Sequence, residues 1–178
     1  ASLHVIPQVW YRNTWSWGYD DYKPEMYLDD EGCIKINHRE LGDYYLMAEG
    51  KCLAHFCENE TNTQRLYNTH KTGTSKDGIN DFLIHGKKEA INSIPKGTKA
   101  AFNYELSIPG GRSETIRIRL APDFHPEPFK DFDRVFKDRL ADANTFFGDM
   151  QMKINDPDKK EIQRQSATME TMELERIK

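Results

Sequence analysis

The amino-acid sequence predicts a mostly β chain, α+β overall: an antiparallel β-sandwich fragment, then one long amphipathic linker helix, then the start of a helical domain. Three observations carry this. In the first two thirds, apolar and polar residues alternate in short runs separated by Gly, Asp and Pro, the period-two signature of half-buried strands. From Phe129 the apolar spacing changes to three and four, the signature of one helix face. Runs of strands followed by helices imply antiparallel sheets and α+β organisation. The expected division is 1–122 for a sandwich whose N-terminal part is missing, 123–152 for the linker helix, and 153–178 for the start of a truncated (α/α)6-type domain.

Each element follows from local pattern. Leu3, Val5, Val9 and Tyr11 alternate, so residues 3–11 are expected as a strand. The sequence opens directly on this pattern, without a turn or cap, and so starts inside a β-region. Residues 12–24 are a loop closed by Pro24. Met26–Leu28 and Cys33–Ile36 flank Asp29-Asp30-Glu31-Gly32, a hairpin signal with Gly at the tip. Tyr44–Ala48 and Leu53–Phe56 flank Glu49-Gly50-Lys51 and predict a second hairpin. Residues 58–81 are polar and rich in turn formers, a long loop of the kind that is either functional or poorly ordered; residues 79–91 suit a short helix. Phe102, Tyr104, Leu106 and Ile108, then Pro109-Gly110-Gly111, then Ile116, Ile118 and Leu120, predict a third hairpin with one wet and one dry face. Phe129, Phe132, Phe136, Leu140, Ala143, Phe147 and Met150 line one helix face, and Asp156-Pro157 caps and starts another helix.

Composition excludes several function classes. Hydrophobic residues are 37% and charged residues 30%, so the 9 Phe, 8 Tyr and 3 Trp must supply much of the core. The net charge of -4 with scattered Lys and Arg implies neither a nucleic-acid partner nor a membrane surface. No apolar run is long enough to cross a bilayer. Three cysteines, Cys33, Cys52 and Cys57, are too few and odd in number for a disulfide framework; this fits a reducing compartment, and with no leader pattern visible the expected localisation is cytoplasmic.

Three polar-aromatic stretches could carry chemistry: Arg12 to Gly18, Glu58 to Asn62, and Lys76 to Phe82 running on to His85-Gly86. Sugars need carboxylates and amides for their hydroxyls and aromatic rings for their C–H faces. Two readings stand for Trp15 and Trp17: caps on the core at a sheet end, or sugar contacts. Glu58 and Glu60 on one strand face would lie about 7 Å apart, inside the range of about 5–9.5 Å used by glycosidase carboxylates, but that spacing is very common and a solvated loop with side chain-to-backbone turns is the favoured reading. Cys52, His55 and Cys57 make a partial zinc pattern without a fourth ligand, so no metal is expected. No Gly-x-Ser-x-Gly elbow or phosphate loop exists. The charged residues between Asp133 and Arg139 are the solvated face of the helix.

Taken in order, these stretches resemble a known family. The run from His4 to Gly18 is similar to the N-terminal domain of bacterial proteins related to glycoside hydrolase family 63, a group that includes processing α-glucosidases (mannosyl-oligosaccharide glucosidase-related). The similarity continues through Glu58-Asn59-Glu60-Thr61-Asn62, Lys76–Asp81, Gly97-Thr98-Lys99-Ala100-Ala101 and Phe129–Asp133, up to about Ala167. The resemblance implies a β-sandwich packed on an (α/α)6 barrel, with general acid and base on the barrel and hydrolysis by inversion. No catalytic residue is therefore expected in this chain. Arg12, Asn13, Trp15, Trp17, Glu58, Asn59, Glu60, Asn62, Asp77, Asn80 and Asp81 are the expected substrate rim. The implied partners are an oligosaccharide, met through the parent enzyme, and an intramolecular helical barrel; no cofactor is implied. A free-standing carbohydrate-binding or structural interaction module is the alternative. The charged run from Thr168 to Arg176 departs from the family pattern, which continues with an apolar helix.

Overall fold

The computed structural model describes the backbone of residues 2–177 and the side chains of residues 2–167. The chain forms two compact units, Ala1–Phe129 and Lys130–Lys178. The first is an antiparallel sandwich of nine strands: β1 (Ser2–Val5), β2 (Gln8–Trp10), β3 (Glu25–Leu28), β4 (Ile34–His38), β5 (Gly42–Ala48), β6 (Leu53–Cys57), β7 (Lys96–Gly97), β8 (Lys99–Ser107) and β9 (Ile118–Ala121). It also holds helices α1 (Thr63–Tyr67) and α2 (Gly78–His85); the second unit holds α3 (Phe132–Met150) and α4 (Pro157–Ile177).

In the four-stranded sheet, β8 is central. β1 and β2 lie along it in one continuous register, with Leu3 opposite Leu106 and Gln8 opposite Ala101. The alternating run at 3–11 is thus one strand line, broken at Ile6-Pro7 because Pro7 has no N–H; its carbonyl still accepts from Phe102 N at 3.0 Å. β6 takes the other side of β8, with Phe56 opposite Ala100. The five-stranded sheet runs β7-β3-β4-β5-β9.

The inner faces meet in one core. Phe56, Ala100, Phe102 and Tyr104 from the first sheet pack against Met26, Ile34, Ile36 and Leu46 from the second, with Tyr11 at one end. Burying each large member contributes roughly 1.5–3 kcal/mol. The Tyr11 hydroxyl donates to the carbonyls of Glu25 (3.0 Å) and Asn37 (2.8 Å), tying the strand line of the first sheet to the second.

One expected hairpin forms and two do not. β3 and β4 pair across Asp29–Gly32, with Gly32 at φ +80° and Asp29 Oδ1 accepting the Cys33 N–H. Residues 44–48 and 53–56 are not a hairpin: β5 pairs with β4 and β9, whereas β6 pairs with β8. Residues 102–108 and 116–120 also part company, because β9 pairs with β5. The reason is edge occupancy. A strand has two hydrogen-bonding edges: those of β5 are taken by β4 and β9, and β8 is paired by β1 and β2 along one edge and by β6 along Lys99–Asn103 of the other. The turns at Gly50 and Gly110-Gly111 therefore pass the chain from one sheet to the other.

The polar stretch 58–81 is also more ordered than expected. Asn62 caps α1 by accepting the Arg65 N–H, and Asn68 ends it at φ +54°. α2 packs Ile79 against Cys57 and Ala101 on the outer face of the four-stranded sheet. Within 79–91, α2 is followed by a 3-10 turn at Lys88–Ala90. Gly78 permits that packing, since a Cβ there would lie 2.0 Å from the Ala90 carbonyl oxygen.

In the second unit, Asp156 Oδ1 accepts the Asp158 N–H at the start of α4. Gln151 donates to the Lys160 carbonyl at 2.7 Å, and Arg164 donates to Asn144 and lies over the Phe147 ring. The side chains of Thr168–Arg176, read from sequence as a charged departure, lie outside the described residues.

Candidate functional site

The site forms where one continuous segment changes sheets. β7 pairs with β3 in one sheet and β8 pairs with β6 in the other; Thr98, fully buried, is the residue between them. The crossing is tight: a Cβ on Gly97 would stand 2.6 Å from the Cys57 carbonyl oxygen, so only glycine fits.

Thr98 joins three segments. Its hydroxyl donates to Glu58 Oε2 at 2.9 Å and accepts the Asn59 N–H at 2.7 Å, and its carbonyl accepts from Tyr11 N at 3.1 Å. Asn59 Nδ2 closes the ring by donating to the Tyr11 carbonyl at 2.7 Å. Glu58 further accepts from Lys23 (2.9 Å) and Asn92 (3.3 Å).

Glu60 collects three donors: Trp15 Nε1 at 2.9 Å, Lys23 Nζ at 3.0 Å and Lys71 Nζ at 2.9 Å. Burial pushes its carboxyl upward, but the donors from Trp15, Lys71 and Lys23 outweigh burial and hold it at about 2. The two glutamates act back on Lys23: desolvation favours its neutral form, yet the hydrogen bonds it donates to both carboxylates raise its pKa. Glu60 is ionised at neutral pH and has no proton to donate, whereas a glycosidase acid needs a raised pKa. The paired carboxylates form an ionic clamp that fixes Trp15.

A second network adjoins the first through Lys76 N, which donates to the Glu60 carbonyl at 2.9 Å. Asn62 and Arg65 both donate to Asp77, and Arg65 reaches Asp81 at 2.8 Å. Lys87 also donates to Asp81, at 3.3 Å. The Arg65 hydrogen bond is the main cause of a lowered Asp81 pKa. A polar cavity of about 220 Å³ opens here, lined by Asn62, Lys71, Thr74, Asp77, Asp81 and Lys87 among others.

Of the residues expected at a rim, Trp15, Glu58, Asn59, Glu60, Asn62, Asp77 and Asp81 enter these networks. Trp15 also packs on the core, as the capping reading expects, while Trp17, in the same 3-10 turn, is 59% exposed. Asn13 bonds locally to Ser16. Arg12 and Asn80 are exposed and stand outside both networks. Cys57 and His55 lie under α2 on the outer sheet face, and Cys52 packs on the inner core. Sequence reasoning passed over Lys23, Arg65, Lys71, Lys87 and Asn92. The nearest signal in the sequence is Lys71, eleven residues beyond Glu60 and paired with it, whereas Arg65 pairs with Asp77 and Asp81.

No protein-family model matches the chain, and no solved structure matches it. It is similar to the uncharacterized protein YMR196W of Saccharomyces cerevisiae, with 25% identity over 185 residues that cover 83% of this chain. The chain spans only 17% of the length of that relative.

Proposed function

We propose that the chain is the non-catalytic sandwich and linker-helix portion of a longer glycoside hydrolase that acts on α-glucosidic oligosaccharides by inversion. One observation carries this reading. The four separate segments that resemble family 63 proteins, around Trp15, Glu58–Asn62, Lys76–Asp81 and Gly97–Ala101, are joined by hydrogen bonds at one corner of the sandwich. Such convergence is expected if the segments serve one purpose. That purpose is a rim and not a catalytic centre, because Glu60 is locked in its ionised form and Glu58 is engaged by Lys23, Thr98 and Asn92. The general acid and base then belong to a helical barrel elsewhere in the longer protein, and Arg12, Trp17 and Asn80 are the side chains free to reach a bound oligosaccharide. The unpaired Cys33, Cys52 and Cys57 agree with a cytoplasmic location.

The test is the stereochemistry of the longer protein. NMR of the anomeric protons during hydrolysis of maltooligosaccharides and a nitrophenyl α-glucoside should show the β-anomer first. The α-anomer first, or no hydrolysis of any α-glucoside, would overturn the assignment. The chain alone should release no sugar; release abolished by Glu58→Gln would show that the carboxylates do catalyse.

A further inference from the structure

We infer that the outer face of the four-stranded sheet carries a glycan-binding groove centred on Trp10. The ligand class rests on the carbohydrate reading above; the groove itself is drawn from different residues. Trp10 sits opposite Lys99 on β8, and Lys99 sits opposite Cys57 on β6. Residues directly opposite in a sheet share a face, so Trp10 points outward on the same side as Cys57. Gln8, Ala101 and His55 form the next outward row.

α2 covers only part of this face. Ile79 seals Cys57 and Ala101, whereas Trp10 remains 58% exposed. Between them lies a groove of about 470 Å³, lined by Gln8, Trp10, Asn59, Lys76, Asp77 and Lys99 with Ile6 at its floor edge. Small-molecule sites typically measure roughly 300–1,000 Å³. A second hollow of about 140 Å³ shares Ile6, Gln8, Lys76 and Lys99 with the groove and runs on beneath α2 along Ile79 and Leu83. The two together make an elongated site, which suits a linear oligosaccharide better than a single ring.

The chemistry matches sugar. Trp10 offers a flat apolar face for C–H stacking. Asn59 commits its Nδ2 to the Tyr11 carbonyl, which leaves its side-chain oxygen as an acceptor. Asp77 is a carboxylate acceptor held in place by Asn62 and Arg65. Lys99 spends one donor on the Lys76 carbonyl at 2.8 Å and keeps others. Gln8 can both donate and accept. Hydroxyls, which donate and accept together, satisfy such a mixed wall.

The test titrates the whole chain with glucose, maltose and maltotriose, read by tryptophan fluorescence and by saturation-transfer NMR. Maltotriose should bind more tightly than glucose. Trp10→Ala should weaken maltotriose binding roughly tenfold or more, as loss of an aromatic anchor does, whereas Tyr67→Ala, at an exposed aromatic outside both the rim and the groove, should bind as before. Gln8→Ala should weaken it by a smaller factor. Should Trp10→Ala misfold, saturation transfer in the unaltered chain decides: a signal at the Trp10 indole supports the groove, and a signal confined to Trp17 overturns it. No binding at millimolar sugar also overturns it, and leaves the hydrolase assignment standing on its product anomer. Failure of hydrolysis with intact Trp10-dependent binding would do the reverse.

Discussion

The two units of the molecule handle apolar surface in opposite ways. The sandwich, Ala1–Phe129, closes a core in which Phe56, Phe102, Met26 and Ile34 are essentially inaccessible to water. The helical unit, Lys130–Lys178, carries Phe132, Phe136, Phe146 and Phe147, yet none of the α3 residues is buried, and Phe136, Leu140, Phe146 and Met150 are each more than half exposed. Both obey their periodicity. The difference is partners: two sheets supply each other with an apolar face, while a helix pair with a mostly polar second helix has little to offer the first. An amphipathic pattern states which side of an element wants burial and leaves open what will bury it.

Substitutions should expose this contrast. Phe102→Ala, in the sandwich core, is expected to cost about 3–5 kcal/mol, read as a lowered midpoint in urea unfolding followed at the sandwich tryptophans. Glu60→Gln should come next, at roughly 2–4 kcal/mol, because it strands Lys71, whose side chain is 12% exposed, beside a neutral partner. The same clamp predicts pH behaviour. Glu60 binds its proton less readily in the fold than its ordinary value of 4.5 allows, so its contribution is complete above that pH and is lost as pH falls toward about 2. The loss amounts to about 3 kcal/mol at most and should vanish in Glu60→Gln. His55 adds an earlier loss. Burial lowers its pKa below 6.5, against a smaller opposing pull from Glu105, so stability should begin to fall as pH drops below that value.

Gly97→Ala should cost about 1–3 kcal/mol, since the new methyl meets backbone that cannot rotate away; an unchanged melting temperature would contradict the tight sheet crossing. Smallest of all, Phe136→Ala on α3 should change stability by less than about 0.5 kcal/mol. A large loss there would mean that this face is already covered, and would erase the contrast between the units.

The candidate site was half legible in sequence. Glu58, Glu60, Asn62, Asp77 and Asp81 stand out because turn formers and acids crowd those stretches. Their partners do not. Lys23 follows a tyrosine in an unremarkable loop, and Thr98 looks like any strand threonine, yet one bridges both glutamates and the other links Glu58, Asn59 and Tyr11. Trp10 ended an alternating run and read as plain strand; only the partial cover of α2 made its exposure visible.

Sequence alone determined the elements that depend on near neighbours. The Asp29–Gly32 hairpin, the long helix after Phe129 and the Asp156-Pro157 helix start are settled by dihedral preference, capping and spacing over a few residues. Tertiary structure decided the partnerships. β5 and β6 adjoin in sequence and part into different sheets, as do β8 and β9, because alternation tells a strand which face is dry but is silent on which edge is vacant. Edges fill by competition among strands distant in sequence, and that competition exists only once the chain has folded.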